Sequence, residues 1–264
     1  GDLERLKLSA KVVMRVWTSR PQKLRGRVFT HFDGAAWQAR GAAATRLPAG
    51  PEAPPLGREA TEWLNAIPGR VFTMPGQQAQ QAETPGAIRT KIVQSVFNGG
   101  MLVAPGRKVL VRAPLDDLRA DVFENLAPPI SSPVEIYGII NLRRGDLVQP
   151  ATGPDETQSE FLALPEDTDG RLKEAAARLA AGTRSAEERI ERTVSFVQHE
   201  CRYSLETGKF HSRQPVAEFL FEKKQGYCQF FASAAAVLLR LQGVPCRYVS
   251  GFNVQPGNRK CGHY

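Results

Sequence analysis

One stretch constrains this chain more than any other: Gln225–Phe252, QGYCQFFASAAAVLLRLQGVPCRYVSGF. Behind Gly226 and Tyr227, the residues Phe231, Ala235, Leu238 and Leu241 or Gln242 recur at helical spacing, which predicts a buried helix with Cys228 on its first turn. Gly243 and Pro245 stop that helix, and Tyr248–Phe252 reads as a strand laid against it. A helix N-terminus presents unpaired amides and the positive end of aligned peptide dipoles, so a thiol placed there can ionise near neutral pH and act as a nucleophile. The same amides can hold the oxyanion formed when sulfur attacks a carbonyl. The competing reading makes Cys228 a small core hydrophobe, because cysteine is among the most buried residue types.

The wording of the stretch resembles the core of the transglutaminase-like cysteine enzymes, a papain-like superfamily. There a glycine and an aromatic residue precede the nucleophile, and the helix ends in Arg-x-x-Gly-x-Pro-x-Arg. Here that ending is carried by Arg240, Gly243, Pro245 and Arg247. Upstream, Tyr203-Ser204-Leu205, Glu218-Phe219-Leu220-Phe221, Phe161–Pro165 and the hairpin from Arg27 to Trp37 are similar to segments of bacterial membrane-anchored members of the TgpA type. Gln229 and Cys246 depart from the pattern, standing where those members usually carry Glu and Ala.

The resemblance implies an α+β chain, with a β-rich N-terminal domain over 1–154 and the front part of a papain-like transglutaminase core over 155–264. It assigns Cys228 as the catalytic nucleophile. It makes Tyr203 a candidate oxyanion donor, against the alternative of a buried tyrosine bonded to backbone. The implied reaction is acyl transfer from a protein glutamine carboxamide to an amine through a cysteine thioester, on a protein or peptide substrate. Hydrolysis on the same scaffold would make the protein a peptidase or deamidase, and a noncatalytic binding module is the rival from a different class. The resemblance also implies a membrane anchor outside this chain and a periplasmic location for this portion of an inner-membrane protein.

Cysteine acyl transfer needs a base to take the thiol proton and return it to the leaving amine. The family's His-Ala-Trp and Asp-Pro-Thr segments, which follow the cysteine, do not occur in this sequence. His263 is a poor match to the first of them, His199 reads as a helix-end residue and His211 as a loop residue. The expectation is therefore an incomplete core, inactive or nearly so by itself, with an apolar face of the Cys228 helix open to self-association. A degenerate dyad of Cys228 with His263 or His211 is the alternative.

Elsewhere the chain reads as short strands. Lys11–Trp17 and Leu24–Phe32 alternate in character, and Asp33-Gly34 turns the second into a hairpin in which His31 and Trp37 serve packing. Residues 88–96, 101–104, 109–112, 118–122 and 134–142 follow, separated by turn residues such as Asn98-Gly99-Gly100, and suggest a β-sandwich or related small β domain. Helices are expected over 58–67 and 170–181. A third is opened by Ser185 and Glu188 as a capping box and places Ile190, Val194 and Val197 on one face.

The net charge of +8 favours an acidic surface, but the bases are scattered, as at Arg143-Arg144, Lys223-Lys224 and Arg259-Lys260. No basic stripe carries interleaved aromatics, so the pattern argues against nucleic-acid binding. The cysteines Cys201, Cys228, Cys246 and Cys261 form no C-x-x-C pair and have no zinc-type His spacing, and no carboxylate cluster suggests calcium. Neither a metal nor an organic cofactor is expected. Cys201 with Cys246 is the pair to test for a disulfide in an oxidising compartment, with free thiols as the default. A redox role is disfavoured by the lack of a resolving cysteine close to Cys228. The longest apolar run is too short to cross a bilayer, and Gly1-Asp2-Leu3-Glu4 lacks the apolar core of a signal peptide.

Overall fold

The computed structural model describes residues 12–39, 43–50, 54–94, 101–129, 134–142 and 159–255. The turn at Asn98–Gly100, the expected domain boundary at 154/155, Cys261 and His263 lie outside the described residues. Two compact units interleave along the chain: Gly1–Val28, Gly41–Pro150 and Val249–Tyr264 make the first, Phe29–Arg40 and Ala151–Tyr248 the second. The chain is α+β.

The first unit is built on a six-stranded antiparallel sheet. In spatial order its strands are Met14–Thr18, Ile88–Gln94, Ile136–Asn141, Lys108–Ala113, Arg70–Thr73 and Ala49–Gly50. Successive side chains leave a strand on opposite faces. Val111 and Ile139 therefore enter one core with Ile92, Phe72 and Tyr137, while their neighbours Leu110 and Ile140 enter another. Two three-stranded sheets contribute Leu24, Ala104, Ala120 and Leu126 to the first core. The second core is covered by helix α1, Arg58–Asn65, through Leu64 and Trp63. The expected sheet-on-sheet packing thus describes one face, and a helix covers the other. Strand Tyr248–Asn253 joins Lys23–Phe29, and at Gly251 the approach is so close that a Cβ would collide with the Leu24 carbonyl. On the six-stranded sheet Lys108 is 1% exposed, its Nζ 3.2 Å from the Glu124 carboxylate, and burial pushes its pKa down to about 8.

The second unit carries helices α2 (Gly170–Ala180), α3 (Ala186–Glu200) and α4 (Cys228–Leu241). A hairpin of His31–Phe32 with Trp37–Gln38 and a parallel pair of Arg202–Tyr203 with Gln225–Gly226 complete it. Its core gathers Leu172, Ala175 and Ala176 of α2, Val197 of α3, and Ala234, Val237 and Leu238 of α4 around Phe219. Asp33 closes the hairpin by accepting the Ala35 and Ala36 amides at 2.9 and 2.7 Å, and those bonds hold its carboxyl below the usual range. Ser185 caps α3 by accepting Glu188 N–H at 3.2 Å, whereas the Glu188 carboxylate accepts the Arg184 amide instead of closing the expected box. The stripe expected to be buried on α3 is rotated by one residue. Val197 is buried together with Thr193, while Ile190 and Val194 are about two-fifths exposed. The turn is set by Gln242, whose Nε2 donates to Thr193 Oγ1 at 2.8 Å and draws that residue inward.

Candidate active site

Helix α4 begins where the parallel pair ends. Arg202 N–H donates to the Lys224 carbonyl and Ser204 N–H to the Gly226 carbonyl, each at 2.8 Å, so the strand leading into Cys228 is fixed on one side. Gly226 lies under Phe219 and Phe230, and a Cβ there would sit 2.8–3.0 Å from their rings. This is why the residue two before Cys228 has no side chain. Tyr227 is extended, with φ −107° and ψ 179°, and its carbonyl accepts the Phe230 amide at 2.9 Å to close the first turn.

Cys228, on that turn, is exposed. The other described cysteines differ from it. Cys201 is 6% exposed, and burial pushes its thiol up to about 11. Cys246 sits with Sγ 3.2 Å from the Ala236 carbonyl, and burial raises it as well. Neither is in a disulfide, so the Cys201–Cys246 pair is not formed.

Tyr248, the first residue of the strand after α4, is pushed up to about 12, chiefly by burial and then by Cys228 and Tyr227. Trp37 stacks on Tyr248 with ring centres 5.4 Å apart, and its indole N–H donates to Ser233 Oγ at 3.1 Å. The reading of Trp37 as a packing residue of its own hairpin therefore understates it, because it also seats on α4. Tyr203 is 59% exposed and lies opposite Gly226 in the parallel pair, its ring 6.1 Å from that of Phe231. It is not the buried tyrosine of the alternative reading. His199 places Nδ1 2.7 Å from the Ser195 carbonyl of its own helix, and His211 gives its amide to Glu218 at 2.9 Å.

The far end of α4 is anchored by Arg240, which is 3% exposed. Its guanidinium donates to the carbonyls of Cys246, Glu160, Ala163 and Thr30, at 2.7 Å for the shortest, and lies 4.8 Å over the Trp37 ring. Gly243, at φ +74°, then lets Val244 N–H reach the Leu239 carbonyl and Gly243 N–H the Arg240 carbonyl, a Schellman closure. The large apolar side chains exposed among the described residues of this unit are Ile190, Val194, Tyr203 and Leu205. None is on α4, where Phe230, Phe231 and Leu241 are half-buried. The described residues also contain no group of His, Cys, Asp and Glu able to hold a metal ion, and no helix long and apolar enough to cross a membrane.

Residues 173–264, which include the exposed Cys228 at the head of α4, match a family model for the transglutaminase-like superfamily. This segment is similar to the transglutaminase-like superfamily. Thirty-seven residues of the chain are 57% identical to the uncharacterized protein YebA of Bacillus subtilis (strain 168), a match covering 14% of this chain and 5% of YebA. The periplasmic domain of TgpA from Pseudomonas aeruginosa, bound to ethylmercury, superposes with a TM-score of 0.65 at 20% identity, covering 100% of this chain and 84% of that one. Its ethylmercury-free form gives 0.64 at 19%, covering 99% and 81%. The chain therefore has the fold of that periplasmic domain.

Proposed function

We propose that this chain carries the nucleophile of a transglutaminase-like acyltransferase, with Cys228 in that role. The observation that carries the reading is the contrast among the described cysteines of the matched segment: Cys228 is exposed on the first turn of α4, while Cys201 is buried and Cys246 half-buried. The sulfur, as thiolate, adds to the carbon of a protein glutamine carboxamide, and the amide oxygen takes the charge beside the α4 amides. The C–N bond then breaks, and nitrogen leaves as ammonia once it has received a proton. A primary amine, such as a lysine side chain, adds to the thioester carbon and gives up a proton to solvent, which offsets the proton taken up by the ammonia; the C–S bond breaks and sulfur leaves as thiolate. Tyr203, beside Gly226, is assigned as second donor to the oxyanion. The likeness to a periplasmic domain supports a periplasmic location, with a membrane anchor outside this chain.

The test is to incubate the protein with a glutamine-containing peptide and a primary amine and to follow ammonia and peptide mass. The reading expects a thioester adduct on Cys228, or an amine-linked peptide, with the parent chain and neither with Cys228→Ala. Glutamate in place of the linked product would reassign the reaction to deamidation. Substrate bound equally well by Cys228→Ala, with neither adduct nor product from the parent chain, would make this a binding module.

A further inference from the structure

Glu218 is a buried carboxylate that the proposed reaction leaves unused. It opens the π-helical turn Glu218–Lys223, and its side chain is 7% exposed. One oxygen accepts the amides of His211 and Ser212 at 2.9 and 2.7 Å; the other lies 3.7 Å from Lys223 Nζ. Burial alone would raise its pKa, but the Ser212 and His211 amides and then the charges of Lys223 and His211 outweigh it, and the carboxyl is held below its ordinary range.

From the other end of the same turn, Lys223 donates to the carbonyls of Thr207 and Lys209, and its Nζ lies 4.4 Å over the Phe210 ring. Both side chains of one turn thus hold one loop. That loop stacks Phe210 on Phe230, with ring centres 4.2 Å apart and planes 20° apart. Phe230 belongs to the first turn of α4, two residues beyond Cys228, and also packs on Phe219 and Tyr227 at 5.6 and 5.0 Å. A continuous line of contacts therefore runs from the Glu218 carboxylate to the turn that bears the sulfur.

We propose that Glu218 is a positioning residue for Cys228: by clamping the amides of His211 and Ser212 it presses Phe210 onto Phe230 and fixes the first turn of α4, which bears the sulfur. The inference rests on Cys228 being the nucleophile. A carboxylate suits the task because one ionised oxygen can accept two amides, with charge-assisted bonds about twice as strong as neutral ones.

The test is site-resolved alkylation of Cys228 by iodoacetamide across pH, in the full chain and in Glu218→Gln, Phe210→Leu and Glu222→Gln. Glu218→Gln and Phe210→Leu are each expected to slow alkylation of Cys228 roughly tenfold near pH 7, because the turn that bears the sulfur is no longer held in place. Glu222→Gln removes an exposed ion pair with Arg171 from the same turn, and its profile is expected to superimpose on that of the parent. Phe210→Leu leaves the clamp intact and keeps the test decisive if Glu218→Gln folds poorly. A Glu218→Gln chain that melts earlier yet keeps the parent Cys228 profile would overturn the proposal, reducing Glu218 to a loop anchor. An inert Cys228 in the parent chain would instead remove the nucleophile assignment.

Discussion

At its C-terminal end α4 is tied by the Arg240 guanidinium to four carbonyls, by Gln242 to Thr193 and by the closure at Gly243. At its N-terminal end it presents Cys228 to solvent, braced from behind by the rings of Phe219, Phe230 and Tyr227. Both ends belong to one helix, so rigidity built at one can serve exposure at the other. A nucleophile must be reachable, and reachable groups have few neighbours to hold them; here the holding is done ten or more residues along the helix and by aromatic packing under the turn.

Removing the anchor should have the largest effect. Arg240→Ala strands buried carbonyls that now accept from the guanidinium, and the expected loss of stability is about 3–5 kcal/mol, read by chemical denaturation. If the loss is under about 1 kcal/mol, water or local rearrangement satisfies those carbonyls and the C-terminal end is not the anchor described. Trp37→Ala removes the stack on Tyr248, the bond to Ser233 and the face beneath Arg240. It should cost about 2 kcal/mol and, unlike changes in α1, should also alter the Cys228 alkylation rate.

Gly243→Ala is a smaller and cleaner probe. No atom lies within 4 Å of the added Cβ, so only the φ of +74° opposes it, and a loss of about 1 kcal/mol is expected with Cys228 reactivity unchanged. The smallest expected effect is acid-dependent. The Glu218 carboxyl is held below its ordinary range in the folded chain, so its contribution is fully present above about pH 4.3, where the unfolded group is ionised, and is lost as pH falls through the lower folded value. Thermal melts of the parent chain and Glu218→Gln should therefore differ near neutrality and converge in acid; a constant difference would mean that the carboxylate charge is not what holds the loop.

Much of α4 was legible from the sequence because its determinants are local. Helical spacing, the Gly-x-Pro stop and a cysteine behind Gly-Tyr are all read within one stretch, and the structure has that helix over Cys228–Leu241. The partners of Trp37 were not legible, since Ser233 lies 196 residues away in sequence and no local pattern announces a bond over that separation. The grouping of Phe29–Arg40 with the second unit has the same origin. On α3 the spacing of Ile190, Val194 and Val197 was read correctly as a stripe, but a periodicity does not say which neighbouring residue centres the buried face; the polar bond from Gln242 to Thr193 decided it. Glu218 was visible as part of a family-like segment, while its two amide partners sit in a loop with no sequence signature.

The measurement that bears most directly on the account is competitive alkylation of the parent chain near neutral pH, with the three described cysteines resolved by peptide mass. The account predicts that Cys228 is consumed first and that Cys201 and Cys246, whose thiols burial raises, follow only on unfolding or at strongly alkaline pH. Labelling of Cys201 or Cys246 at a rate equal to that of Cys228 in the folded chain would contradict it, because the open end of α4 would then confer no special reactivity on its sulfur.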